Sequence, residues 1–370
     1  MSVVFQQPKR ANESLHRPTC APTNLCADDP LGSFSNQFCT IASMPDSYRA
    51  PANPPQGSRA RRTRWARTIA VVSVVLTLTI ALHSVLPGSL GTLTATVLPW
   101  LGWLLPALTI GALATRRRRA WIITLVPALT WSLLVAPAAL PLGEAGGSVS
   151  ESSPLTVATH NVRGGEGTAI ESARTLASEG ADLISLVELT SEEREGAAAE
   201  LAASHPYSYQ VGTVGFWSKY PIEQEKPLDL GLGWKRALSA DVLAPGGTVS
   251  VYVVHAASFR PGFQTERDTM LRNLGELVPQ DLSERLIVMG DFNATTFDPA
   301  LGPLLETVSE PRTSGLSWGF TWPAAAPIAR IDHIFERGLT ATDSRVLPAG
   351  ASDHKAIVTR FTDEPAPETP

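Results

Sequence analysis

No cysteine follows Cys39 in this chain, so no disulfide can hold anything beyond it. The three cysteines present, Cys20, Cys26 and Cys39, lack zinc-ligand spacing, and no histidine pair accompanies them. Lysine is almost as scarce: after residue 150 only Lys219, Lys226, Lys235 and Lys355 occur. That scarcity argues against a nucleic-acid partner, because such binding draws most of its affinity from Lys and Arg that neutralise phosphates. The first 57 residues lack any hydrophobic period and are rich in Pro, Ser, Asn and Gln, a composition that predicts disorder. No apolar core follows a short basic start there, which argues against a signal peptide.

What the chain does have is apolar length. Residues 68–86, 93–114 and 120–140 are almost wholly apolar. Each is near the roughly 20 residues that cross a bilayer core. Pro99, Pro106, Pro127 and Pro137 would be awkward in soluble helices but are tolerated in membrane ones. Trp65, Trp100, Trp103 and Trp121 lie near the ends, where aromatic belts sit. Three buried helices of a soluble bundle are the alternative, but these stretches have no polar face to meet water. The pattern predicts three transmembrane helices used as an anchor, with His83 their one ionisable group.

Charge then orients them. Arg59, Arg61, Arg62, Arg64 and Arg67 precede the first span, and Arg116 to Arg119 fill the turn between the second and third. The connection around Pro87, Gly88 and Ser89 has no Lys or Arg. The positive-inside rule puts the N-terminus in the cytoplasm and everything after the third span outside it. The resulting domain plan is a disordered basic tail (1–67), three spans (68–140), a Gly/Ser-rich linker (141–154), a folded domain (155–363) and a short disordered end (364–370). Residues 1–150 hold 13 Lys+Arg against 5 Asp+Glu, and residues 151–370 hold 17 against 30, so a basic anchor precedes an acidic outer domain.

Within that outer domain, apolar runs and helical periods alternate. Strands are expected at 155–162, 182–189, 236–244, 248–258, 285–293, 330–335 and 355–361, and helices at 168–179, 191–203 and 264–278. Strands outnumber helices and occur in adjacent pairs, which predicts an α/β fold of mixed rather than singly parallel sheets. The strand ends are unusual. They carry Asn161, Glu188, His255, Asp291 with Asn293, Asp332 and, just before the last strand, Asp353 with His354. One such group is easily a capped turn. Six strand termini are better explained by a single polar site at one edge of the sheets, because buried ionisable groups are costly unless paired or metal-bound. Asp291 and Asn293, two residues apart on a strand, should share a face.

The segments "NVRGG", "LISLVEL", "GDFNAT", "RIDHIF" and "SDHKAIV" occur in an order that resembles the endonuclease/exonuclease/phosphatase superfamily, over roughly residues 155–361. The resemblance implies two packed mixed β-sheets flanked by helices, a four-layer α/β sandwich, and hydrolysis of a phosphoester by in-line attack of water. It implies that Glu188, Asn161 and Asp353 serve a divalent cation, Mg²⁺ with Mn²⁺ or Ca²⁺ as alternatives. By the same resemblance Asp291 activates or orients the water and Asn293 holds the phosphate. His354 donates to a phosphate oxygen, Asp332 orients it, and His255 lies near the phosphate. His160 and His333 should face the other way. The chain departs from many members at Val187, where Gln is common, and after His255, where Ala256-Ala257-Ser258 lacks bulk. A lipid headgroup or small phosphodiester is favoured over nucleic acid, with a secreted-type nuclease or a non-catalytic phosphate- or lipid-sensing module as alternatives. Arg260, Arg267 and Arg272 are the candidates for a local cationic patch.

Overall fold

The computed structural model describes residues 56–141, 154–260 and 262–362. The three cysteines, most of the basic tail, the linker and the C-terminal end lie outside the described residues.

Four helices come first: α1 (Gln56–Leu82), α2 (Gly88–Leu101), α3 (Leu104–Ala114) and α4 (Arg118–Leu134). Among the described residues, only α1 and its continuation, Arg59–Val85, is a single helix long and apolar enough to cross a membrane. The α2–α3 pair reaches that length only as one broken element, bent by 62°. Pro106 explains the break: a proline removes one backbone hydrogen bond and its ring clashes with the carbonyl four residues earlier, here that of Gly102. The backbone answers with tighter bonds, Trp103 N to Trp100 O at 3.0 Å and Leu105 N to Gly102 O at 3.2 Å. The 17 residues of α4 rise about 25 Å, short of a bilayer core of about 30 Å. Ile69, Ala112 and Ala120 pack together near one end of the bundle. Leu76, Ile80, Leu98 and Val135 pack near the other.

The sandwich follows. One sheet has the order β10-β11-β1-β2-β4-β3 and the other β5-β6-β7-β8-β9. The first contains β1 (Leu155–Asn161), β2 (Leu183–Val187), β3 (Tyr207–Val211), β4 (Val214–Ser218), β10 (Thr340–Leu347) and β11 (Ala356–Thr362). The second contains β5 (Ile222–Leu228), β6 (Ala237–Ala244), β7 (Gly247–His255), β8 (Leu286–Asp291) and β9 (Asp332–Arg337). Helices α5 (Ala169–Ser178) and α6 (Ser191–Leu201) cover the first sheet, and α7 (Thr265–Leu277) covers the second.

Side-chain alternation assigns the layers. Val157, Leu183, Val187, Val251, Val253, Ile287, Met289, Ile334 and Ile357 meet between the sheets. Their neighbours Ala158, Ile184, Leu186 and Val358 turn toward α5 and α6, while Val254, Leu286, Val288 and Phe335 turn toward α7. Each fully buried Val, Leu or Ile contributes about 1.5–3 kcal/mol of transfer free energy, so both faces of both sheets are strongly specified. Gly290 marks a close approach: at φ +135°, a Cβ there would lie 1.9 Å from the Val254 carbonyl oxygen of the adjacent strand.

Candidate active site

Reading the inter-sheet face of each strand to its end gives the site. Asn161 continues the Val157 face of β1, and His255 continues the Val253 face of β7. Asp291 continues the Met289 face of β8, and Asp332 the Ile334 face of β9. Register places His255 and Asp332 on either side of Asp291 as its direct strand neighbours. The same parity turns His160 and His333 outward. His160 is buried against Ser172 and the His354 carbonyl. His333 is bound by Glu310 and the Ala294 carbonyl.

Two residues reach the site by a different route. Glu188 follows Val187 and by alternation would point outward, but its left-handed backbone, φ +63°, turns it in. A Cβ on Gly164 would lie 2.2 Å from the Glu188 carbonyl oxygen, so this turn needs a glycine facing it. Asn293 lies beyond the end of β8 with φ +49°. Its approach to Asp291 comes from this turn rather than from strand periodicity. Glu188 does not cap α6; Thr190 does, in a capping box with Glu193.

The polar contacts are dense. Asn161 Nδ2 donates to Glu188 Oε2 and to Asp291 Oδ2, both at 2.9 Å. Asn293 donates to Asp291 through its backbone N at 2.8 Å and through Nδ2 at 3.2 Å. Asp332 Oδ2 and His354 Nδ1 are 2.8 Å apart, and Thr321 Oγ1 accepts from the backbone N of Asp332. Asp353 accepts from Trp322 Nε1 at 3.3 Å and lies 3.8 Å from Arg163.

Electrostatics separate the groups. Burial pushes the Asp291 carboxyl up, and the neighbouring Asp332 charge pushes it further, to about 7. Burial also opposes an Asp332 charge, but the His354 cation holds Asp332 below its ordinary value. Burial likewise opposes the charge on His354, yet Asp332, Asp291 and Asp353 outweigh it and raise the imidazole to about 10. His255 is depressed well below its ordinary value by burial, by Arg236 and by His354. The outcome is a protonated His354, a neutral His255 and a carboxyl at Asp291 able to exchange a proton near neutrality.

A cavity of about 480 Å³ opens over these groups, lined by Asn161, Glu188, Asp291, Asn293, Asp353 and His354. Asp332 and His255 stand one layer behind it. His255 lies 3.8 Å from Glu188 and against Arg236, so it packs behind that carboxylate. Ligand atoms of Asp291, Asp332 and His354 lie within 4.8 Å of one another. His354 is already engaged by Asp332 and protonated there, so Glu188 is the better first ligand. Its Oε2 takes the Asn161 bond and its side chain is 43% exposed to the cavity. One carboxylate with amide and water oxygens around it suits a hard cation that keeps its waters.

The roles of three residues escape a reading of the sequence. Glu193 accepts from Thr190 N, Gly165 N and Gly167 N, and so ties the loop after Asn161 to the start of α6. Its signal was the Thr-x-x-Glu capping pattern. Arg236 carries no local signal. Arg267, expected as surface charge, is fully buried. It pairs with Asp268 and Asp298 and donates to the Asn293 carbonyl, so it is not free for a substrate phosphate.

The profile of the endonuclease/exonuclease/phosphatase family matches residues 158–354, a span that contains every site residue named above. No curated protein matches the chain. Among solved structures, Staphylococcus aureus beta toxin is 15% identical, with 55% of this chain and 99% of that chain covered and a TM-score of 0.47. Humanized TDP2 of D. rerio is 21% identical, covering 57% and 100%, also at 0.47. An endonuclease/exonuclease/phosphatase protein from Beutenbergia cavernae is 18% identical, covering 58% and 73%, at 0.46.

Proposed function

Because the chain belongs to the endonuclease/exonuclease/phosphatase family, we propose that it is a membrane-anchored, divalent-metal-dependent phosphodiester hydrolase acting outside the cytoplasm. The observation that carries this reading is the seam itself: Asp291 flanked by Asp332 and His255, with His354 and Asn293 closing on it. Asp291, held by Asn161 and Asn293, takes a proton from the attacking water. His354, kept protonated by Asp332, donates to a phosphoryl oxygen as charge builds there. Asn293 holds the phosphate in line, and His255 steadies Glu188. Glu188, Asn161 and Asp353 would hold the cation, Mg²⁺ or else Mn²⁺ or Ca²⁺, which supplies positive charge for the phosphoryl oxygens.

Helix α1, among the described residues the one single helix long and apolar enough to cross a membrane, is what supports the anchor. Arg117 donates to Thr63 at 2.7 Å, which brings both arginine clusters to one end of the bundle. At the other end of α1, His83 meets Phe297 of the sandwich edge-on at 6.3 Å. Basic charge at one end and the sandwich at the other is the asymmetry that the positive-inside rule reads as an extracytoplasmic domain. The substrate reading is a lipid headgroup or small phosphodiester. Nucleic acid fits less well, since Arg163 is the one Lys or Arg among the residues lining the cavity.

The test uses the full chain in detergent, assayed on bis-p-nitrophenyl phosphate, sphingomyelin and plasmid DNA, with Mg²⁺ and with EDTA. Metal-dependent turnover that Asp291→Ala and His354→Ala each lower by about 10²–10⁴ is the expected result. Turnover indifferent to both substitutions would overturn the assignment. A C-terminal alkaline-phosphatase fusion should be active, and an inactive one beside an active cytoplasmic reporter would reverse the topology.

A further inference from the structure

The cavity over the catalytic groups has two unlike sides. One is the polar seam of the sandwich, and the other is helix α2, which contributes Thr92, Leu93 and Thr96. That helix is fastened in place. Ser89 Oγ donates to Gln264 and accepts from Gly262 N, Thr92 Oγ1 accepts from Arg267 Nη2 at 2.7 Å, and Trp100 Nε1 donates to the Ile328 carbonyl at 2.9 Å. Trp100 also stacks on Phe320, with ring centroids 5.7 Å apart. Because Arg267 holds both Thr92 and the Asn293 carbonyl, the helical wall and the catalytic floor share one anchor.

Along the mouth the side chains are apolar and open. Leu93 is 47% exposed inside the cavity lining, with Leu90 at 58% and Val97 at 43% beside it on α2. Trp322 lines the cavity at 37% exposure. On α1 and α4, Val75, Leu78, Leu125 and Leu129 are likewise exposed. A water-soluble phosphoester would leave Leu93 and its neighbours facing solvent. An ester with a long alkyl chain would cover them while its phosphate reached His354.

Resting on the hydrolase reading above, we infer that α2 is a specificity wall of the catalytic cleft, on which Leu93 seats the alkyl part of a lipid phosphodiester delivered from the bilayer plane. The polar end of the substrate lies on the sandwich seam and the apolar end runs out along α2 toward the membrane-facing helices. The cavity makes this division of labour: charge on one side, a leucine and two threonines on the other.

The experiment compares butyl and hexadecyl p-nitrophenyl phosphate, diesters of identical reacting chemistry, on the full chain in mixed micelles. Wild type should favour the hexadecyl ester by at least tenfold in kcat/KM. Leu93→Asp should reduce that ratio at least tenfold, and Leu93→Met, apolar and of similar volume, should restore it. A wild type without chain-length preference overturns the inference, as does a Leu93→Asp variant that lowers both esters by the same factor. Turnover of neither ester, with metal supplied, would instead remove the hydrolase reading on which the inference stands.

Discussion

Asp281 shows how one carboxylate away from the catalytic seam can stabilise a sheet. It accepts from Ser250 Oγ at 2.6 Å, Tyr252 OH at 2.8 Å and Ser283 N at 2.9 Å. Burial works against its charge, but these bonds outweigh it and hold the carboxyl down at about 2. A folded-state value below the ordinary one means the contribution is present above about pH 4 and is lost as pH falls from about 4 to about 2. The group is only half-buried, so the effect is screened to about 1 kcal/mol. Asp281→Asn should therefore lower stability by that amount at pH 7. Denaturant titrations of the two proteins should converge below about pH 2, and a gap independent of pH would refute this account. The polar residues that the fold brings to the seam were legible one by one, because polar groups at the ends of apolar strands stand out. His160 and His333 were legible as outward-facing from parity alone. The turns at Glu188 and Asn293 were not, since a left-handed backbone at a non-glycine residue leaves no mark in hydrophobic pattern. Arg267 was misjudged because burial of an arginine depends on partners, Asp268 and Asp298, whose position only the fold supplies.

At the scale of elements, seven strands were readable, the edge strand β9 among them, and β3, β4, β5 and β10 were not. β1, β2, β6, β7, β8, β9 and β11 are apolar runs or hairpin partners, and the sequence reading placed each within a few residues. β5, IEQEKPL, and β10, TATDSRVL, are polar and lie at sheet edges, where one side pairs and little is buried. β3 and β4 are five residues each, separated by a Gly212 turn, and look like loop. The start of α6 is where element and site meet, through Glu193. Glu193→Ala removes the capping box and the anchor of the loop after Asn161 together. It should cost about 1–3 kcal/mol in thermal or denaturant unfolding and lower turnover as Asn161 loosens. Unchanged turnover in a stable variant would show that the loop positions itself.

For the whole molecule, the unanticipated feature is that the N-terminal helices and the sandwich meet through side chains. Thr92→Val tests this: it keeps shape but leaves a fully buried Arg267 N–H without its acceptor on α2. The expected loss is about 1–3 kcal/mol of stability in the full chain, with a fall in turnover as the Asn293 carbonyl loses its fixed donor. A change below about 0.5 kcal/mol would mean that the helix rests on the sandwich without depending on that bond. The seam between the sheets has one more consequence, for how this scaffold tolerates changes of length. Asn161, His255, Asp291 and Asp332 each project from the same face of their strand as its core residues, so this part of the site is tied to odd and even. Adding one residue within β8 would carry Asp291 to the α7 layer and swap Ile287 and Met289 with their neighbours. Adding two would keep the parity and lengthen the strand. Length variation that preserves activity must therefore come in pairs inside these strands, or be confined to the loops between them.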